Sequence, residues 1–277
     1  MKFDIAFRTI LVAGLVAVAG CSKTDKDTDF ALDNIESADT LYNQALANLD
    51  AGDLKNAEKR LDDLNSQHPY SELSRRSIIL KTFVNYRKGE YAEAASSAKR
   101  FLSLYPSDKD AAYAQYIIGM SYYKQIPHIT RDQTTTAKAY EAMNALVEKY
   151  PESEYVGDAR NKIRITRDQL AGKEMLVGRY YQERREFLAA INRFRKVVEQ
   201  YPNTRHVEEA LARLTESYFS LGLAQEAQNS AAVLGHNFPD SQWYKDSYKL
   251  LQTGGLEPRE AQDSWLTGGL FGTKPKT

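Results

Sequence analysis

Five side chains of this sequence carry the chemistry most often recruited for nucleophilic attack or metal ligation: one thiol, Cys21, and four imidazoles, His68, His128, His206 and His236. A tetrahedral metal site needs its ligands at short, characteristic spacings, and no histidine here has a second ligand so placed. There is no G-x-S-x-G, no H-E-x-x-H and no phosphate-binding loop. Carboxylate pairs such as Asp62-Asp63 stand among many charged neighbours, the pattern of a solvated helix face rather than of a poised acid and base. The sequence therefore predicts no catalytic residue, no metal and no cofactor, and points away from an enzyme. One reaction remains, recommended by position: acylation of Cys21.

Cys21 closes an uncharged run, Thr9 to Gly20, that follows Lys2 and Arg8. A basic start followed by a short apolar stretch is the pattern of an export signal. Such a run falls short of the roughly 20 apolar residues that cross a bilayer as a helix. Its end, Val18-Ala19-Gly20-Cys21, resembles the bacterial lipobox, in which the cysteine is acylated and becomes the new N-terminus. Residues 1–20 are thus expected to be a lipoprotein signal peptide and Cys21 the lipidation site. Each buried CH₂ of an acyl chain contributes about 0.8 kcal/mol, so two or more chains give lasting attachment. Ser22 to Asp29 is a polar stretch with no apolar face, and residues 21–36 are expected to be a flexible tether reaching up to roughly 50 Å at about 3.3 Å per residue. By the sorting pattern of the lipoproteins it resembles, Ser22 after the cysteine implies the periplasmic face of the outer membrane.

The 277 residues carry 37 basic and 37 acidic side chains; removing residues 1–20 takes two bases and one acid, leaving a formal charge of −1. A nucleic-acid partner is not expected, because phosphate binding by counterion release needs a basic excess or stripe. With Cys21 acylated no disulfide can form, so stability must come from packing.

The elements that would do the packing are announced by a repeat. Five segments end in an aromatic or imidazole residue followed by proline, at Pro69, Pro106, Pro151, Pro202 and Pro239, with separations of 37, 45, 51 and 37 residues. These periods are those of helical solenoids. Seventeen residues before a proline stands Gly52, Gly89 or Gly222, and twelve before it Ala57, Ala94, Ala139, Ala190 or Ala227. Glycine allows the tight reversal between helix A and helix B of a hairpin, alanine lets the two helices approach, and proline stops helix B. Ser71, Ser153, Thr204 and Ser241 follow four of the prolines and suit capping of the next helix. The unit resembles the tetratricopeptide repeat, which Val177-Gly178 with Tyr181, Ile118-Gly119 with Tyr122, and Leu214-Thr215 with Tyr218 match to different degrees. The fold expected is all-α: a right-handed α-solenoid of about five tetratricopeptide-like hairpins over residues 37–251, its concave face lined by A helices and suited to binding.

Two departures from the 37-residue period locate insertions. One falls within 124–135 and is expected to protrude as a loop. The other falls within 154–173, where fourteen extra helix-forming residues, close to four turns, are expected to lengthen helix A of the fourth unit. Residues 252–277, rich in glycine and proline, are expected to be a disordered tail, with Trp265 and Leu270-Phe271 as a conceivable docking motif.

The lipobox, the five units, the insertion containing Arg131-Asp132-Gln133 and the lengthened helix together resemble the BamD family (ComL/YfiO-like), outer-membrane β-barrel assembly lipoproteins of the tetratricopeptide-repeat class. That resemblance implies a scaffold of the β-barrel assembly machine: C-terminal units docking on the periplasmic domain of BamA, other assembly-machine lipoproteins alongside, N-terminal units facing unfolded β-barrel substrates and their C-terminal signal. Tyr42, Tyr86 and Tyr116, on A helices of the first three units, are then candidates for substrate contact. Arg184, Arg185 and Arg193, clustered with Arg195 and Lys196 in the fourth unit, are candidates for partner binding. Two other readings stay open: a tetratricopeptide lipoprotein scaffold for another envelope complex, a type IV pilus secretin or cell-wall machinery, and an envelope enzyme whose catalytic residues meet only in space.

Overall fold

The computed structural model describes residues 35–261 and 265–266. The expected signal segment, Cys21 and nearly all of the tether lie outside the described residues, as do Leu270 and Phe271. The chain divides into residues 1–37 and 38–277, and the second unit holds every described helix.

Eleven α-helices and no strand occur among the described residues: α1 Ala38–Asp50, α2 Leu54–Gln67, α3 Glu72–Lys88, α4 Tyr91–Leu104, α5 Ala111–Lys124, α6 Thr134–Lys149, α7 Val156–Glu183, α8 Phe187–Gln200, α9 Val207–Ser220, α10 Ala224–Asn237 and α11 Gln242–Thr253. They pair as five hairpins, α1/α2 to α9/α10, followed by α11, which packs on α9 and α10. Each helix also packs on the next in the chain, and α1, α3, α5 and α7 touch in succession. The architecture is the all-α solenoid expected.

The repeat positions explain the packing. All five recurrent alanines, Ala57, Ala94, Ala139, Ala190 and Ala227, are fully buried. Five residues before each proline stands a second buried position, filled by Leu64, Phe101, Leu146, Val197 and Leu234. The small residue of helix A is a point of contact between the two helices of its hairpin: a Cβ on Gly119 would lie 2.7 Å from Met143 Sδ, and one on Gly178 only 2.4 Å from a Phe194 ring carbon. Where Thr215 replaces glycine it is buried, and its hydroxyl donates to the Leu211 carbonyl at 3.0 Å.

The A-to-B turns are built alike. Gly52, Gly89 and Gly222 have φ of 76°, 81° and 73°. At each, the glycine N–H and the following N–H bond back to helix A carbonyls, as in Gly89 to Tyr86 and Glu90 to Asn85. In the fourth hairpin this position is Arg185, with φ of 63° and the same pair of bonds, Arg185 to Gln182 and Glu186 to Tyr181, both at 2.9 Å. A non-glycine residue held there costs on the order of 1 kcal/mol or more.

Three expectations need revision. Of the four expected caps, only Ser71 accepts a bond from the next helix, from the Ser74 N–H at 3.0 Å; the N-cap of α7 is Tyr155 and that of α9 is His206, two residues beyond Ser153 and Thr204. Ser241 does stand at the N-cap of α11 but makes no side-chain cap bond. The second difference concerns the insertion at 124–135, which lies against α7 instead of protruding. Gln133 is buried, Ile129 abuts Gly172, Lys173 donates to the Thr130 carbonyl at 2.9 Å and Gln169 reaches the Pro127 carbonyl at 3.3 Å. The two insertions thus pack on each other: the added length of α7 supplies the surface that the loop covers.

The tail is the third. It is ordered over its described part: Gln228 donates to the Glu257 carbonyl at 2.7 Å, the Ala261 N–H donates to Asn229, and Leu266 is buried in the core of the last two hairpins. The Arg195 guanidinium sits 4.3 Å from the centre of the Trp265 ring. The apolar end of a solenoid must be covered, and residues 254–261 and 265–266 join α11 in doing so.

Candidate binding surfaces

A groove of about 450 Å³ lies among α1, α3 and α5, where successive A helices meet. Tyr42 projects from α1, Ile79 and Phe83 from α3, and Tyr113 from α5, giving an aromatic and aliphatic lining. Arg75 at its edge is spent on Asp108, at 2.6 Å, and Glu72, at 3.1 Å. Arg76 and Lys109, both exposed, make no ion pair among the described residues. Such a lining offers stacking and apolar contact for side chains together with positive charge for a carboxylate.

Of the three tyrosines expected to meet substrate, Tyr42 lines this groove, whereas Tyr86 and Tyr116 belong to an aromatic cluster beside it. Tyr116 stacks on Tyr155 with ring centres 4.7 Å apart, and its hydroxyl donates to Asp158 at 2.8 Å. Tyr113 also tilts against Tyr155, with ring centres 5.7 Å apart, and Tyr86 tilts against Tyr91 at 5.5 Å. Burial, then neighbouring Tyr155 and Tyr86, pushes the Tyr113 hydroxyl up to about 12. Burial and the bond to Asp158 raise that of Tyr116 further, so both hydroxyls stay protonated at neutral pH. Tyr155 and Asp158 went unremarked in the sequence as parts of a site because their partners lie about 40 residues away; an acidic residue in the first turn of a long helix was the only local signal.

The basic cluster of the fourth hairpin separates into paired and unpaired cations. Arg193 and Lys196, on α8, both donate to Glu174 of α7, Arg193 at 3.0 Å. Glu174 is only 8% exposed, a buried carboxylate neutralised by two bases. Arg195 pairs with Glu199 at 2.9 Å, and Arg184 with Glu186 at 3.7 Å and the Tyr180 hydroxyl at 3.0 Å. The exposed Arg185 side chain has no ion pair or hydrogen bond among the described residues. Nothing in the sequence distinguished these roles, because Glu174 stands far from Arg193 along the chain and in an otherwise unremarkable helix.

Among the described residues no group of histidines, cysteines and carboxylates could hold a metal ion, and no helix is long and apolar enough to cross a membrane.

Comparison with known proteins adds the relationships. The chain matches the family YfiO, described as outer membrane lipoprotein, over residues 35–234. It is 42% identical to the outer membrane protein assembly factor BamD of Caulobacter vibrioides across 92% of this chain and 82% of that protein. With the BamD of Rickettsia prowazekii it is 36% identical, across 91% and 98%. The TPR2AB domain of yeast Sti1 in its pHSP90 complex shares 14% identity over 78% of this chain and 88% of that one, with a TM-score of 0.41, a likeness too distant to carry argument. With a family match spanning most of the solenoid and relatives matched along 82% and 98% of their own length, the chain belongs to the YfiO family of outer membrane lipoproteins.

Proposed function

We propose that this protein is an outer membrane protein assembly factor: a lipid-anchored scaffold of the β-barrel assembly machine that binds unfolded barrel substrates and the periplasmic domain of BamA, with other assembly-machine lipoproteins alongside. It performs no reaction in this reading; its work is to hold extended chains and partners in place. Acylated Cys21 anchors it to the periplasmic face of the outer membrane, and residues 21–36 set its reach. The observation that carries the reading is the groove among α1, α3 and α5, in which Tyr42, Phe83 and Tyr113 stand beside the unpaired cations Arg76 and Lys109. The C-terminal signal of an unfolded barrel substrate brings a free carboxylate that the cations can meet, while backbone groups of an extended chain need only an open trough. The relatives named assembly factors support the same function.

The test is to solubilise outer membranes in mild detergent, capture the lipidated chain and identify what remains bound in stoichiometric amount. A BamA-like barrel protein is expected. Recovery of a pilus secretin or a cell-wall synthase in its place would keep the anchored solenoid and overturn the assembly role.

A further inference from the structure

Three residues after its small contact residue, helix A of the last three hairpins carries a tyrosine: Tyr122 after Gly119, Tyr181 after Gly178 and Tyr218 after Thr215. In Tyr122 and Tyr218 the ring fills the slot between its own helix B and the helix B before it. Tyr122 lies between Lys99 of α4, which donates to its hydroxyl at 2.7 Å, and Lys138 of α6, 5.9 Å from its ring centre. Tyr218 feels the charges of Arg195 on α8 and Glu226 on α10, which stand at the same two repeat positions. In the second hairpin the tyrosine position is Asn85, three residues after Thr82.

Asn85 does not fill its slot. An amide is much smaller than a phenol, and a groove of about 330 Å³ stays open among α2, α3 and α4, lined by Glu58, Lys81, Asn85, Glu93, Ser96 and Ser97. Asn85 is 1% exposed, its Oδ1 is buried, and neither end of its amide is hydrogen-bonded among the described residues. A buried amide without a partner is costly and calls for one. The charge around the slot is inverted as well. Where Tyr122 has Lys99 and Lys138, the residues at the equivalent repeat positions here are Asp62 and Glu93. Asp62 is bound to Lys81, and Glu58 and Glu90 to Lys88, but Glu93, exposed on α4, has no ion pair among the described residues. Four carboxylates against two lysines leave an excess of negative charge.

We propose that this slot binds a small organic cation bearing several N–H donors, an oligoamine or a guanidino compound, with its N–H groups on the Asn85 amide oxygen and the Glu93 carboxylate. A positive charge answers the surplus carboxylates, and N–H donors answer the unpaired amide, which can turn its oxygen to the slot because no other bond holds it. The hydroxyls of Ser96 and Ser97 can accept further bonds. The groove has the size of a small ligand pocket, and no large apolar side chain lines it, so it lacks the apolar centre of a protein interface. The site goes beyond the assembly role and does not depend on it.

The experiment is calorimetric titration of the purified full-length mature chain, in an uncharged detergent, with spermidine and separately with agmatine. It compares the native chain with Asn85→Tyr and Glu93→Gln, each with its thermal unfolding curve. Saturable binding of at least one of the two amines to the native chain is expected. Asn85→Tyr places the sister hairpins' ring in the slot and should abolish binding. Glu93→Gln alters an exposed side chain without an ion pair, so it should keep the native melting temperature while binding weakens by about tenfold or more. Tighter binding of spermidine identifies an oligoamine ligand, and tighter binding of agmatine a guanidino ligand. If Asn85→Tyr does not fold, Glu93→Gln decides alone. No saturable binding by the native chain, or binding unchanged in either folded variant, overturns the proposal. Tighter binding of a Gly-Gly-Arg-Gly-Gly peptide than of both amines would make the slot a polypeptide site and overturn it too.

Discussion

Arg193→Glu is the substitution a sequence reading would choose to break a partner interface, and the structure says it first disturbs the fold. Arg193 donates to Glu174 at 3.0 Å, and Glu174 is almost fully buried on α7. Losing the bond to a charged acceptor costs about 1.5 kcal/mol or more. The new carboxylate at this position adds repulsion: two like charges about 4 Å apart cost about 4 kcal/mol at an effective dielectric of 20 and about 1 in water. The Arg193 side chain is 42% exposed and Lys196 still faces Glu174, so the screened end of that range applies. The sum is a destabilisation of roughly 3 kcal/mol, against about 1.5 for Arg193→Gln. Urea unfolding followed by far-ultraviolet circular dichroism should show a midpoint lowered by about 1 M or more for Arg193→Glu. In a Glu174→Gln background the same change should cost less than about 1 kcal/mol, since the coupling has been removed. A native midpoint for Arg193→Glu, or equal penalties in the two backgrounds, would refute the reasoning. Weakened co-purification of Arg193→Glu with BamA therefore speaks for an interface only if Arg193→Gln, which is better tolerated, weakens it too.

Equivalent glycines should differ by the stiffness of what they touch. Gly178→Ala meets the fully buried Phe194 ring at 2.4–2.9 Å and should cost about 2–3 kcal/mol; Gly119→Ala meets the flexible end of Met143 at 2.7–3.1 Å and should cost about 1 kcal/mol or less, so equal losses of melting temperature would contradict the packing account. His206 is held by burial below the ordinary imidazole pKa, although Asp168 opposes the shift. The unfolded chain then takes up this proton first, and stability contributed by neutral His206 is lost as pH falls through about 6.5 toward the lower folded value. Urea midpoints at pH 7.5 and 5.5 should differ less in His206→Gln than in the native chain; an unchanged difference would remove His206 from the pH dependence. Leu266→Ala should cost about 2–4 kcal/mol, since Leu266 is buried in the core of the last two hairpins, and an unchanged melting temperature would mean that the tail contributes no packing there.

Much of the solenoid was legible because its rules are local. Proline stops a helix wherever it stands, glycine at Gly52, Gly89 and Gly222 takes the left-handed turn, and an alanine twelve residues before each proline must face the partner helix because the spacing fixes its side. The lengthened α7 followed from counting turns. Candidate tyrosines could be placed on A helices for the same reason, and Tyr42 does line a groove. The sequence alone determined the periodic skeleton, the all-α class and the members of the basic cluster.

Tertiary structure decided what each of those residues is available to do. Whether a cation is spent or free depends on a carboxylate brought close by packing: Glu174 claims Arg193 and Lys196 across the α7–α8 contact, while the exposed Arg185 side chain makes no ion pair among the described residues. Tyr116 became part of a wall because α7 delivers Tyr155 and Asp158 to it from some 40 residues on. The insertion at 124–135 lies flat because the added turns of α7 offer Gln169, Gly172 and Lys173 as a bed, and the described part of the tail packs down because the last hairpin leaves apolar surface that Leu266 covers. Periodicity is a property of one helix and can be counted along the chain, but pairing, burial and availability belong to surfaces that exist only once the helices have stacked.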